Sequence, residues 1–153
     1  MKIKTIRFGE IEAGTDTLVS FPHGLIGFEN LKQFCIFNKE EVGCFWWLQS
    51  VEKPETAFLI TDPRCLVPDY SPAFTKEDIL TLHARDSSDV EVGVILTIPD
   101  DPRETTANLL APIAINMSAG IGMQIALKDN RYSTKHILAQ PVLAGNSEGG
   151  ATC

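Results

Sequence analysis

A mainly β fold, a single small antiparallel β-barrel-like domain with one or two short helices, is predicted by three features of this sequence. Apolar residues recur at every second position in segment after segment, the spacing that gathers them on one face of a strand. Most of the 9 prolines and 11 glycines fall between those segments, where turns belong. Only the stretch around Thr75 carries the capping chemistry of a firm helix start. With 153 residues, 44% of them hydrophobic, the chain has the size of one domain and enough apolar matter for a core.

The elements follow in order. Residues 2–8 alternate, with Ile3 and either Ile6 or Phe8 inward; Gly9-Glu10 turns the chain, and 11–13 answers across it. A short strand covers 17–21. Phe21-Pro22-His23-Gly24-Leu25-Ile26-Gly27-Phe28 then forms a loop, because two glycines and a proline in eight residues forbid a regular helix or a central strand. Its apolar Leu25, Ile26 and Phe28 predict that the loop packs. It is no phosphate loop, since no Lys-Ser/Thr follows. One helical turn is expected over 29–34 and a strand over 35–37. The strand over 45–51 sets Trp46 and Leu48 on one face and Phe45 and Trp47 on the other. Both indoles suit a core, and an exposed one would suit a binding surface. A strand over 57–61 ends at Asp62-Pro63, and 68–72 is extended. Thr75 with Asp78 three residues on caps a short helix from Lys76 to about Leu82. A strand over 91–98 runs into the Pro99-Asp100-Asp101-Pro102 loop.

Residues 106–138 organise the rest. Ala107, Leu109, Ala111, Ile113, Ile115 and Met117 share one parity and predict one buried face. Residues 118–122 supply a hairpin, and Met123, Ile125 and Leu127 return on the same parity. The expected result is a long two-strand ribbon with one apolar face, which cannot stand alone in water. Tyr132-Ser133-Thr134-Lys135-His136 has no apolar period; it reads as a solvated end of the domain or as a contact surface. The domain is thus expected over 1–138, with 139–153, rich in small residues, as a disordered tail.

Net charge is −7. Residues 77–104 hold eight acids against two arginines, so most of the excess sits in one segment. An acidic chain does not hold phosphates by counterion release, which argues against direct nucleic-acid binding and for attraction of a basic protein partner. The four cysteines, Cys35, Cys44, Cys65 and Cys153, form no C-x-x-C pair, and the histidines are scattered. No metal site is expected, and the thiols are expected to be reduced and mostly buried. No apolar run reaches the roughly 18–20 residues of a bilayer span, and residues 1–5 lack a signal-peptide core. The expectation is a soluble, cytoplasmic protein without membrane contact. No catalytic motif is present, and Asp62, Asp69, Asp100 and Asp101 sit beside prolines or in loops, where Asp is a routine turn residue.

Six stretches in fixed order carry a resemblance: Arg7-Phe8-Gly9-Glu10; Phe21-Pro22 through Gly24-Leu25 and Gly27-Phe28-Glu29; Trp47-Leu48-Gln49-Ser50; Pro68-Asp69-Tyr70; Asn108-Leu109-Leu110-Ala111-Pro112-Ile113; and Tyr132-Ser133-Thr134-Lys135-His136. Over residues 1–138 the chain resembles the FliW family of bacterial flagellar assembly factors, with His23 a minor departure. The resemblance implies a compact β-barrel-like fold, no catalysis and no cofactor. It implies cytoplasmic binding of flagellin and of CsrA, a small dimeric RNA-binding translational repressor. Antagonism of CsrA is then allosteric, and flagellin synthesis is coupled to flagellin export. The candidate partner-binding residues are Phe28, Glu29, Trp46, Trp47, Asp69, Tyr70, Tyr132 and Lys135. Of these, Phe28, one of the two tryptophans and Tyr70 are expected as exposed anchors, with Tyr132 and Lys135 as a polar rim. The rival reading is a small β-barrel enzyme or ligand-binding module with a pocket beneath the 21–28 loop.

Overall fold

The computed structural model describes residues 1–38 and 44–138. Among the described residues, eleven strands and one α-helix are formed: β1 (Lys2–Thr5), β2 (Gly9–Glu12), β3 (Leu18–Ser20), β4 (Gln33–Phe37), β5 (Phe45–Ser50), β6 (Ala57–Thr61), α1 (Lys76–Thr81), β7 (Glu91–Thr97), β8 (Thr106–Ala107), β9 (Ile113–Asn116), β10 (Ile121–Gln124) and β11 (His136–Ile137). Strands β7, β6, β5, β4, β3, β10 and β9 lie side by side in that order, and β9 pairs back onto β7. Seven strands thus close into a barrel, which leaves its members without a free edge. Every pairing in the ring is antiparallel except that of β10 with β3. Strands β8 and β11 continue outward from the end of β7, and β1–β2 is a separate hairpin.

Alternation along each strand builds two cores. Val19, Phe34, Leu48, Ile60, Ile113 and Ile115 point into the barrel, where Phe21, Leu25 and Leu31 from the connection between β3 and β4 join them. The opposite faces are covered from outside. Leu59, Val94 and Leu96 pack against Tyr70, Leu109 and Leu138. Ile3 and Ala13 of the hairpin region pack on Cys35. Leu82, at the end of α1, packs on Ala114 and Ile125. Helix α1 starts as expected: the Thr75 hydroxyl accepts from the Asp78 N–H and the Asp78 carboxylate accepts from the Thr75 N–H, a reciprocal capping box.

The long ribbon is not what forms. Strand β8 stops at Ala107, and the chain bends through 108–112 before β9 starts at Ile113. The Asn108 side-chain oxygen accepts from the Ala111 N–H and stabilises that bend, and Pro112 cannot continue a ladder. The single buried face is also corrected. All four residues of β9 are buried, because one side faces the barrel interior and the other meets α1, while Met117 is 37% exposed. The helical turn expected over 29–34 is absent, and β4 already begins at Gln33. Cys44 and Cys65 are bonded in a disulfide, against the expectation of free thiols. The register explains their meeting: Phe45 lies opposite Thr61, so the residue before β5 and the short turn after β6 share one end of the hairpin. Cys35 is free and buried. The expected tail, 139–153, lies outside the described residues. Among the described residues no helix is long and apolar enough to cross a membrane.

Candidate functional site

The 21–28 loop is a fixed frame. Gly24 has φ +68°, and a Cβ there would lie 2.6 Å from the Glu29 backbone, so only glycine fits. Phe28 N–H donates to the Leu25 carbonyl at 2.7 Å and Leu25 N–H returns a bond to Phe28 at 3.4 Å, closing a tight turn. At its tip the Ile26 N–H donates to the Gln124 side-chain oxygen at 2.8 Å, and the Gln124 amide donates to the Ala111 carbonyl at 3.0 Å. The Glu29 carboxylate accepts from the Gly27 N–H at 3.0 Å. That bond, and the bond from Glu29's own N–H, hold its carboxyl below the usual range. Leu25 anchors the frame at 2% exposure, while Ile26 and Phe28 remain 58% and 42% exposed. Phe28 stands edge-on to Phe58, ring centres 5.1 Å apart.

A cavity of about 290 Å³ lies beside this loop, walled by Leu25, Ile26, Phe58, Ile95, Thr97 and, on the polar side, Lys135. A cavity therefore exists where the rival reading asked for one. Among the described residues its lining contains neither a carboxylate nor a histidine or cysteine.

The other candidates divide into separate places. Trp46 packs on the inner core and lines a second cavity of about 370 Å³ with Ile36, Ile60 and Ile115. Trp47 points outward against Phe8 at 5.3 Å, with the Arg7 guanidinium 4.7 Å from its ring centre. Both indoles are half-buried, so core packing holds for each. Tyr70 needs correction: the anchor expected to be exposed is only 2% exposed. Its hydroxyl donates to the Leu109 carbonyl at 2.7 Å, and burial pushes its phenol well above the usual range. Tyr132 lies 4.6 Å from the Tyr70 ring and its hydroxyl accepts from the Ser71 N–H, so it braces the segment around Tyr70. Asp69 is exposed beside Tyr70.

The acidic segment is partly self-neutralised. Arg85 pairs with Asp89 at 2.9 Å and Arg103 with Asp101 at 3.0 Å. The Arg85 side chain, helped by its backbone N–H, holds the Asp89 carboxyl down to about 2. Glu77, Asp86, Glu91, Asp100 and Glu104 remain exposed. Among the described residues no group of three or more His, Cys, Asp or Glu could hold a metal.

Sequence reasoning missed Gln124 and Ile137. The bond from Ile26 to Gln124 spans 98 residues, so no local signal marks it. Ile137, 66% exposed, sat in plain view next to the polar 132–136 run.

Comparison with known proteins gives consistent matches. A family model described as FliW protein matches residues 2–138. A flagellar assembly factor FliW of Moorella thermoacetica is 41% identical over 142 residues, spanning 90% of this chain and 88% of that protein. One of Heliobacterium modesticaldum is 34% identical over 152 residues, spanning 98% and 99%. A crystal structure of the flagellar assembly factor FliW aligns with a TM-score of 0.81 at 36% identity, covering 90% of this chain and 96% of that one.

Proposed function

This chain belongs to the FliW family, and from that membership we propose that it is a non-enzymatic flagellar assembly factor that acts by binding other proteins. The observation that carries the reading is the family match over nearly the whole described domain. Its partners in this reading are flagellin and CsrA, both met in the cytoplasm, with no cofactor, no nucleic acid and no membrane. Binding is exclusive: a molecule occupied by flagellin does not engage CsrA. Free flagellin then sets, by mass action, how much of the factor remains to antagonise CsrA allosterically. The surface fits this role. It offers exposed apolar side chains on a rigid loop and exposed acids in the 77–104 segment, and among the described residues the cavity beside the loop is lined by no carboxylate.

Competition calorimetry is the test. Purified chain is titrated with flagellin, with CsrA, and with CsrA after saturation by flagellin. The reading expects binding in the first two experiments and none in the third. Absence of binding to both partners sinks it. The Cys44–Cys65 bond pulls against a reducing compartment. Thiol counting on protein alkylated inside cells tests the location: a reduced pair supports the cytoplasm, an oxidised one opposes it.

A further inference from the structure

Three of the seven exposed large apolar side chains among the described residues, Ile26, Phe28 and Ile137, gather at one place. Ile26 lines the 290 Å³ cavity directly. Phe28 stands on Phe58, another wall residue. Ile137 reaches it through the sheet: Thr97 pairs with Thr106, and Thr106 pairs with Ile137. Residues directly opposite in an antiparallel ladder point to the same face. Thr97 and Thr106 both line the cavity, so Ile137 continues its rim.

Apolar groups held in water by a rigid frame cost free energy that a free surface does not repay, and such patches mark contact sites. The frame here is rigid at each point: Gly24 is packed on the Glu29 backbone, the turn is closed between Leu25 and Phe28, and Gln124 pins Ile26. The cavity volume, about 290 Å³, lies just below the range of about 300–1,000 Å³ for small-molecule sites, and suits one side chain better than a cofactor. Among the described residues, Lys135 is the one ionisable residue in the wall and no carboxylate pairs with it. Thr97, Thr106 and Thr134 add hydroxyl groups around it.

We propose that this patch docks a peptide segment of a partner protein, which buries one apolar side chain against Leu25, Phe58 and Ile95 and sets a neighbouring carboxylate on Lys135. Charge complementarity chooses the acidic segment over a basic one, because the cavity wall is cationic although the chain as a whole is not. The proposal rests on the reading of the chain as a protein-binding factor and assigns that binding a place and a chemistry.

The test uses random 15-residue peptides displayed on phage and selected on the full-length chain. Selected peptides are then synthesised and titrated by fluorescence polarisation against wild type, Ile26→Asp and Lys135→Glu. Both substituted side chains are exposed, so thermal melts of the variants are expected to match wild type. Supporting results are a consensus of an apolar residue next to Asp or Glu and affinity losses of about tenfold or more in each variant. Recovery of Lys135→Glu binding by peptides whose acid is replaced with Lys is expected too. Peptides that bind all three proteins alike, a basic consensus, or no selection overturn the proposal. So does a dimer in sedimentation that Ile26→Asp dissolves, since a second copy would then occupy the patch. Flagellin binding, measured on the same variants, separates the two claims. If flagellin binds all three proteins equally, the functional reading stands and this surface falls. If flagellin fails to bind wild type while the peptides behave as expected, the reverse holds.

Discussion

Buried polar atoms decide how single residues behave here. Tyr70 carries a hydroxyl whose partner, the Leu109 carbonyl, lies in the outer core. Tyr70→Phe removes that bond and is expected to cost about 1–2 kcal/mol. Tyr70→Ala also empties a large volume and is expected to cost about 3–5 kcal/mol. Chemical denaturation measures both, and an unchanged midpoint for Tyr70→Ala contradicts the packing. Asn116 behaves alike. It sits on the parity that sequence alternation assigns to a solvent face, yet it is 4% exposed. Its amide donates to the carbonyls of Leu82 and His83 at 3.0 and 3.2 Å, fastening the end of α1 to β9. Those bonds also hold His83 at φ 57°, a backbone state costly for a non-glycine residue. Asn116→Ala is therefore expected to cost about 1–3 kcal/mol, approaching the 2–5 kcal/mol or so of Ile113→Ala at a fully buried barrel position. Equal stability of Asn116→Ala and wild type would show that the clamp contributes nothing.

Elements differ in how local their causes are, and that governs what the sequence reveals. Helix α1 is legible because its cap is written in four consecutive residues; Thr75→Ala is expected to cost about 1 kcal/mol. Strands β5 and β7 are legible from alternation and bounding turns, and β6 from a continuous apolar run that ends at Asp62-Pro63. The 106–117 segment misleads because apolar alternation persists through a stretch whose backbone bends at Asn108, and because barrel closure buries the second face of β9. Alternation reports which residues oppose one another, not whether the far face is later covered. The candidate surface is half legible for the same reason. Phe28 and Lys135 carry their chemistry in sequence, whereas burial of Tyr70 depends on Leu109, 39 residues away. The 21–28 loop offers a contrast between two glycines. Gly24→Ala meets both a left-handed φ and the Glu29 backbone, while Gly27→Ala meets strain at φ +87° but open space. Gly24→Ala is expected to be the more destabilising, by about 1–3 kcal/mol over wild type, and to displace Ile26 from Gln124. Loss of amide hydrogen-exchange protection at Ile26 in Gly24→Ala, with lesser loss in Gly27→Ala, is the measurement.

At the scale of the molecule, charge acts both on stability and on encounter. Folding lowers the carboxyls of Glu29, Asp86, Asp89, Asp101 and Asp129 below their ordinary values. A depressed folded pKa contributes stability above the unfolded value, and that contribution disappears as pH falls through the folded one. Melting temperature is therefore expected to hold above about pH 5 and to fall between about pH 4 and 2, the lower limit set by Asp89 at about 2. These groups are exposed, so each effect is small and shrinks with salt. The same surface works differently on a partner. Arg85 and Arg103 are already paired with Asp89 and Asp101, which leaves Glu77, Asp86, Glu91, Asp100 and Glu104 as exposed negative charge in the segment. A net charge of −7 adds a long-range attraction for a basic protein such as an RNA-binding repressor. Long-range attraction raises the association rate and leaves dissociation, set by short contacts, nearly untouched. At an ionic strength of about 0.01 M the field reaches roughly 30 Å, and at 0.15 M only about 8 Å. Stopped-flow association with CsrA is thus expected to slow severalfold between those salts, with a constant dissociation rate. Asp100→Asn combined with Glu104→Gln is expected to flatten the salt dependence, because both charges lie in the connection between β7 and β8 and among the described residues neither holds an ion pair. An association rate indifferent to salt in wild type would show that the acidic segment does not steer this encounter.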